Sequence, residues 1–116
     1  MKGHDSTSGM VSRLNQPQDE NGVLVDAFMA LGAIPFVHAN VPQTMMSIGC
    51  FNPIFGTTTN PFNPDRTPGG SSGGEGALQA LRAAPFGFGS DIAGSIRVPA
   101  HFCGIYGIKV IAKRSM

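Results

Sequence analysis

The chain predicts an α/β fold of which it carries only a part, and three observations support that expectation. Helix-period and short apolar segments alternate along its 116 residues, the order that builds a parallel or mixed sheet between helices. Turn formers, 16 glycines and 9 prolines, sit beside those apolar segments and punctuate them, so they read as turns of a folded chain and not as low complexity. A parallel sheet needs both faces covered, and the helices encoded here are too few for that task. At 41% hydrophobic and 13% charged residues, the composition is that of one domain with one core.

The first 20 residues are polar and irregular. From Asp19, Val23, Leu24, Ala27, Phe28 and Leu31 recur at helical spacing, with Asp19 and Glu20 near the positive end and Gly32 as the stop, which predicts an amphipathic helix of about three turns. The apolar run Ala33 to His38 then reads as a short buried strand, started by Pro35 and closed by His38 as a packed structural histidine. Gln43 to Ile48 reads as a short helix with Met45 and Met46 as flexible gap-fillers. Residues 52–68 hold Asn52-Pro53, Asn60-Pro61, Asn63-Pro64 and Thr67-Pro68 and read as one long ordered loop. A helix from Gly74 to Arg82, a strand over Phe86 to Gly89, a helix after Ser95 and a strand from Ile105 to Val110 complete the order.

Charge and composition exclude several functions. Net charge is +1 with the basic residues scattered apart from Lys109, Lys113 and Arg114, so no nucleic-acid footprint and no polybasic anchor is expected. No run reaches the roughly 18 apolar residues of a membrane helix, and no signal peptide follows Met1. Cys50 and Cys103 lack metal or redox spacing and read as two buried, reduced thiols, pointing to an intracellular compartment. His4, His38 and His101 share no ligand spacing, so neither a metal nor a cofactor is expected.

Two glycine-rich turns remain, Thr67-Pro-Gly-Gly-Ser-Ser-Gly-Gly-Glu-Gly76 and Gly89-Ser-Asp-Ile-Ala-Gly-Ser-Ile-Arg-Val-Pro99. Glycines around a serine let the backbone approach a ligand closely, so a hydroxyl and several N–H groups can converge on one oxygen. That equipment suits acyl transfer, with Ser71 and Ser95 as candidates and Asp91 and Arg97 holding the second turn in shape. The bland readings are turn serines and a flexible linker, but a linker would not run into the apolar segment Ala77 to Leu81. The Gly-Lys-Ser/Thr of a phosphate loop is missing.

These turns resemble the amidase signature family of serine hydrolases, and Gly-Gly-Ser-Ser-Gly-Gly-Glu-Gly-Ala-Leu looks most like its fatty-acid amide hydrolase branch. The likeness extends through Lys2-Gly-His-Asp-Ser-Thr7, Gly32 to Gln43 and His101 to Lys109, nearly the whole chain. It implies a partial amidase-signature fold, a mixed sheet core flanked by helices, in one partial domain over residues 1–116, with the signature over about 67–109 and a divergent tail at 110–116. It also implies a Ser-Ser-Lys triad with Ser95 as nucleophile and Ser71 as bridging serine on a cis peptide; Ser72 is its neighbour. The backbone N–H groups of Ile92, Ala93, Gly94 and Ser95 would form the oxyanion hole, Met45 would touch substrate, and Met46 and Ile48 would wall an acyl channel. The implied substrate is a small fatty-acid amide; membrane association would come from regions absent here, and homo-oligomerisation stays open.

Three departures limit this reading. The family's lysine lies just upstream of the stretch matching Lys2, and Lys2 itself matches a non-catalytic lysine. Ala93 stands where a glycine is more usual. After Gly107-Ile-Lys109, where the family continues into Pro-Thr, the chain leaves the family pattern. The alternatives are therefore a catalytically inactive truncated product or a different amidase, such as an aminoacyl-tRNA amidotransferase subunit, for which a residue other than Glu75 is expected.

Overall fold

Three helices, one small hairpin and several extended segments without ladder partners make up the chain, as described over residues 1–111 in a computed structural model. Helix α1 spans Val23–Ala30, shorter than the periodicity predicts. Asn21 and the acidic residues before it stay outside, and the Asn21 amide donates to Asp26 at 2.7 Å. Helix α1 ends where Gly32, at φ +88°, lets the Ala33 N–H reach the Phe28 carbonyl at 2.9 Å and the Gly32 N–H reach Met29 at 3.0 Å, satisfying two orphan carbonyls.

The same termination closes α2, Gly73–Ala80, but there Arg82 takes the left-handed position at φ 56°, and Ala83 donates to Leu78 at 3.0 Å. Helix α3, Arg97–Cys103, ends at Gly104 with φ 65°. Small residues bring α2 and α3 together: a Cβ on Gly76 would lie 2.9 Å from Pro99 Cβ, so only glycine admits this approach. The buried hydrophobic side chains are Cys50, Ala77, Ala100 and Cys103, all small. Cys103 donates to the Pro68 carbonyl at 3.3 Å and Cys50 to the Asn40 carbonyl at 3.4 Å. Burial pushes both thiols up from their ordinary pKa.

The paired strands lie inside the stretch read as a loop. Strands β1, Phe51–Asn52, and β2, Gly56–Thr57, pair antiparallel with Phe51 opposite Thr57. The rest of that stretch is ordered by asparagines that mimic backbone turns. Asn52 accepts from the N–H groups of Ile54 and Phe55, and Asn60 accepts from Phe62 while donating to the Phe102 carbonyl at 2.8 Å.

The three predicted strands do not form ladders. Residues 33–38, 86–89 and 105–110 have no regular secondary structure and no strand partner among the described residues, because alternation and apolarity suit a strand but do not supply its hydrogen-bonding neighbour. His38 is exposed, not packed, with its ring 6.4 Å from that of His4. Gln43 to Ile48 is no helix beyond a single 3-10 turn, Gln43–Met45; Thr44 and Met45 sit at φ 61° and 60°, which breaks propagation. A second such turn, Val11–Arg13, falls in the segment expected to be irregular. Most of the tail at 110–116 lies outside the described residues, and no described helix is long and apolar enough to cross a membrane.

Extended segments without partners leave apolar surface open: Ile34 is 86% and Ile108 82% exposed, and Leu31, Phe36 and Tyr106 are exposed beside them. A patch of that extent drives association. The isolated 116-residue chain is expected to self-associate and to unfold without a cooperative transition. Light scattering with calorimetry checks this, and a monomer with a sharp melt would contradict it.

Candidate active site

The Ser71 turn is held from three sides. Thr67 Oγ1 accepts the Gly69 N–H at 3.1 Å and Gly69 turns at φ +87°. A Cβ on Gly70 would fall 2.5 Å from the carbonyl oxygens of Ser47 and Gly49, and one on Gly73 2.6 Å from Cys50 Cβ. The glycines are therefore required by the approach of residues 47–50, not by flexibility. The Gly70–Ser71 peptide bond is cis. Ser71 is 2% exposed and opens on a cavity of about 780 Å³. Gly74 donates to the Asn40 carbonyl at 3.0 Å, fixing where α2 starts.

The Ser95 turn is organised by one carboxylate. Asp91, whose side chain is wholly buried, accepts the N–H groups of Gly94 at 2.7 Å, Ile96 at 3.1 Å and Arg97 at 3.2 Å. Arg97 adds a two-point contact, Nε to Oδ2 at 3.0 Å and Nη2 to Oδ1 at 2.9 Å. Five donors on one carboxylate fix the chain from residue 91 to residue 97. The Arg97 guanidinium first, then the three N–H groups, hold the Asp91 carboxyl well below the usual carboxylate range against the opposing effect of burial. Gly94, at φ +130°, completes the turn, and the Val98 N–H returns to its carbonyl at 2.7 Å.

The two turns touch through the backbone: the Ser72 N–H donates to the Ser95 carbonyl at 3.1 Å. No hydrogen bond joins the Ser71 and Ser95 side chains. The Gly94 N–H, one of the four expected to hold an oxyanion, is engaged by Asp91. Those of Ile92, Ala93 and Ser95 have no acceptor among the described residues, and Ile92 and Ala93 are exposed. Met45 lines the cavity with Ser71, whereas Met46 and Ile48 lie outside its lining and are exposed at 82% and 70%. Lys2 is exposed, pairs through its backbone with Gln18, and does not line the cavity. No cluster of three metal-ligating side chains occurs among the described residues.

Asn40 and Asn52 escaped the sequence reading. Asn52 is fully buried and donates to Asn40 Oδ1 at 2.5 Å and to the Val41 carbonyl at 2.8 Å. Asn52-Pro53 was legible as a turn, but nothing local tied it to Asn40.

Residues 1–114 match the family described as Amidase, and the chain belongs to that family. It is 54% identical over 113 residues to "Fatty-acid amide hydrolase 1" of Sus scrofa, covering 97% of this chain and 20% of that protein. Identity to "Fatty acid amide hydrolase 1" of Caenorhabditis elegans is 50% over 109 residues, 94% of this chain and 19% of that one. A solved "Fatty acid amide hydrolase" structure superposes with a TM-score of 0.83 at 40% identity, over 86% of this chain and 18% of its own. The chain thus carries part of the amidase-signature fold and spans about a fifth of the length of the curated relatives it matches.

The Asp91 geometry sets a pH expectation. A carboxyl depressed in the folded chain contributes stability above its unfolded pKa, near 3.9 for aspartate, and that contribution is lost as pH falls through the folded value. The Asp91 carboxyl carbon shift in NMR should therefore stay constant between pH 6 and about pH 3. Titration near pH 4 would show that the turn is not closed as described.

Proposed function

We propose that this chain supplies the two serines of a serine amidase acting on fatty-acid amides. The observation that carries the reading is the junction of the turns, buried Ser71 bound through its neighbour's N–H to the Ser95 carbonyl, in a chain of the amidase family. Ser95 is the nucleophile. Its Oγ attacks the amide carbon while its proton passes by way of Ser71 to a neutral lysine, and the resulting tetrahedral oxyanion is held by backbone donors. The free N–H groups of Ile92, Ala93 and Ser95 support that role, while Gly94 serves Asp91 unless the turn reopens. The proton then returns through Ser71 to the departing nitrogen, leaving an acyl ester on Ser95 that water cleaves.

Neither Lys2 nor Lys109 is near enough to the cavity to line it, so the lysine of this scheme comes from elsewhere in a longer protein. The exposed apolar stretch Met45, Met46, Ile48 suits one flank of a long acyl chain, in keeping with the names of two relatives. Location inside the cell, membrane association through other regions, and self-assembly belong to the same proposal.

The test places residues 1–109 in the matching stretch of the pig enzyme, which then supplies the lysine. A fluorophosphonate probe should label Ser95 alone; an adduct mapped to Ser71 or Ser72 would overturn the assignment. Ser71→Ala should lower kcat by about 100-fold or more with KM little changed, as loss of a proton relay does. Unchanged kcat would remove the relay.

Acyl-chain preference is a separate outcome. Each buried methylene is worth about 0.8 kcal/mol at most, or roughly fourfold in kcat/KM, so decanamide should exceed hexanamide by one to two orders of magnitude. Equal values would reject the acyl channel. The unfused chain should hydrolyse neither.

A further inference from the structure

Pro99 is the third residue of α3, where the bonds that start the helix pass closest to the Ser95 turn. Bonds from an N–H to the carbonyl four residues earlier run from Val98 to Gly94 at 2.7 Å and from Ala100 to Ile96 at 3.0 Å. The member between these two would run from residue 99 to Ser95. Proline has no N–H to make it, and its ring crowds the carbonyl four residues before it. The Ser95 carbonyl is therefore left to another donor. It accepts the Ser72 N–H at 3.1 Å, which among the described residues is the one hydrogen bond joining 67–76 to 89–99.

Packing encloses the same residue. Pro99 is fully buried between two glycines that flank Ser71. A Cβ on Gly69 would lie 3.0 Å from both the N and the Cα of Pro99, and one on Gly76 would lie 2.9 Å from its Cβ. An N–H introduced at position 99 would be buried with the rest of the residue and would take the acceptor that the helix offers, the Ser95 carbonyl. The Ser72 N–H would then compete for its partner. The contacts of Asp91 do not compensate, because all of them lie within residues 91–97 and none reaches the Ser71 turn.

We propose that Pro99 is a positioning residue for the serine pair: by withholding an N–H it reserves the Ser95 carbonyl for the Ser72 N–H, and so sets Ser71 against Ser95. Ser72 follows Ser71 directly, so a shift of its amide carries Ser71 with it. Pro99 touches no reacting atom in this scheme and acts through the backbone alone. The catalytic consequence rests on the relay between Ser71 and Ser95 proposed above; the reservation of the carbonyl does not.

Two variants of the pig-enzyme chimera carrying residues 1–109 separate the missing N–H from the ring. Pro99→Ala supplies an N–H, whereas lactic acid placed at 99 by nonsense suppression gives the same methyl group on an ester, with no N–H. Pro99→Ala is expected to lower kcat about tenfold or more with KM little changed, and to speed hydrogen exchange at the Ser72 amide about tenfold or more. The lactic acid variant should stay within about threefold of the parent chimera in both measurements. In a Ser71→Ala background Pro99→Ala should lower kcat little further, since residues that act through one relay are not additive. Equal losses with alanine and lactic acid, an unaltered Ser72 amide in Pro99→Ala, or a loss that multiplies with that of Ser71→Ala would overturn the proposal. Should Pro99→Ala not fold, the lactic acid variant decides: a folded, active enzyme supports the proposal and an unfolded one overturns it. Unchanged kcat in Ser71→Ala alone would remove the relay, and exchange at Ser72 would still decide whether Pro99 reserves the carbonyl.

Discussion

The amide group of Asn40 is the constraint on which the rest of the chain depends. Its backbone carbonyl accepts from Gly74 and Cys50, its Oδ1 from Asn52 and from the Val41 N–H, and its Nδ2 donates to the Gly56 carbonyl and Thr58 Oγ1. One residue thus ties the extended segment 33–41, the β1–β2 hairpin and the first turn of α2. A buried amide left unpaired costs about 1–3 kcal/mol, whereas a saturated network costs nothing and admits one geometry. Gly74 is part of the same constraint, since any side chain there would collide with the Asn40 backbone. Ser71 and Ser72 precede that turn directly, so the position of the candidate bridging serine is set by asparagines up to 31 residues away in sequence (Asn40 to Ser71).

What could be read in the sequence follows the range of the interaction involved. The stop of α1 was legible because Gly32 acts on carbonyls within its own turn. The Asp91 turn was legible for the same reason, its donors all lying within six residues. Asn40 was not, because nothing near it in sequence marks Asn52 or Gly74 as its partners. The hairpin was hidden for a different reason: two residues per strand carry no periodicity, and the Asn-Pro signals around them specify turns equally well without pairing.

The segment Pro85-Phe-Gly-Phe-Gly89 shows how a correct periodicity gives an incomplete structure. Its glycines face α2, where a Cβ on Gly89 would meet Ser72 Oγ at 2.6 Å and one on Gly87 would collide with Glu75. Its phenylalanines face the other way, edge to ring with each other and against Phe28 of α1. Period two is thus fully expressed in side chains, small toward one helix and large toward the other. Glu75, which set the fatty-acid amide hydrolase branch apart in the sequence, sits against this segment and accepts from Gln79 at 2.8 Å. Its role in the structure is to fill the space a side chain at 87 would need, so the branch signature and the glycine-phenylalanine alternation are two sides of one contact.

Two kinds of stabilisation are consequently separated in this chain. The serine turns are fixed by short polar contacts, five on Asp91 alone, whose geometry is local and needs little hydrophobic core. Among the described residues the buried apolar side chains are few and small, Cys50, Ala77, Ala100 and Cys103 with prolines such as Pro68 and Pro99, and at about 25 cal/mol per Å² removed from water they supply far too little area to offset the entropy of ordering more than a hundred residues. Site geometry and global stability therefore have different sources. The geometry of the Asp91 turn is encoded within residues 91–97, that of the Ser71 turn also needs Asn40 and residues 47–50, and global stability depends on burying the apolar side chains that stand exposed. A substitution at Asp91 removes five local contacts from the Ser95 turn, whereas the exposed apolar surface is untouched by it.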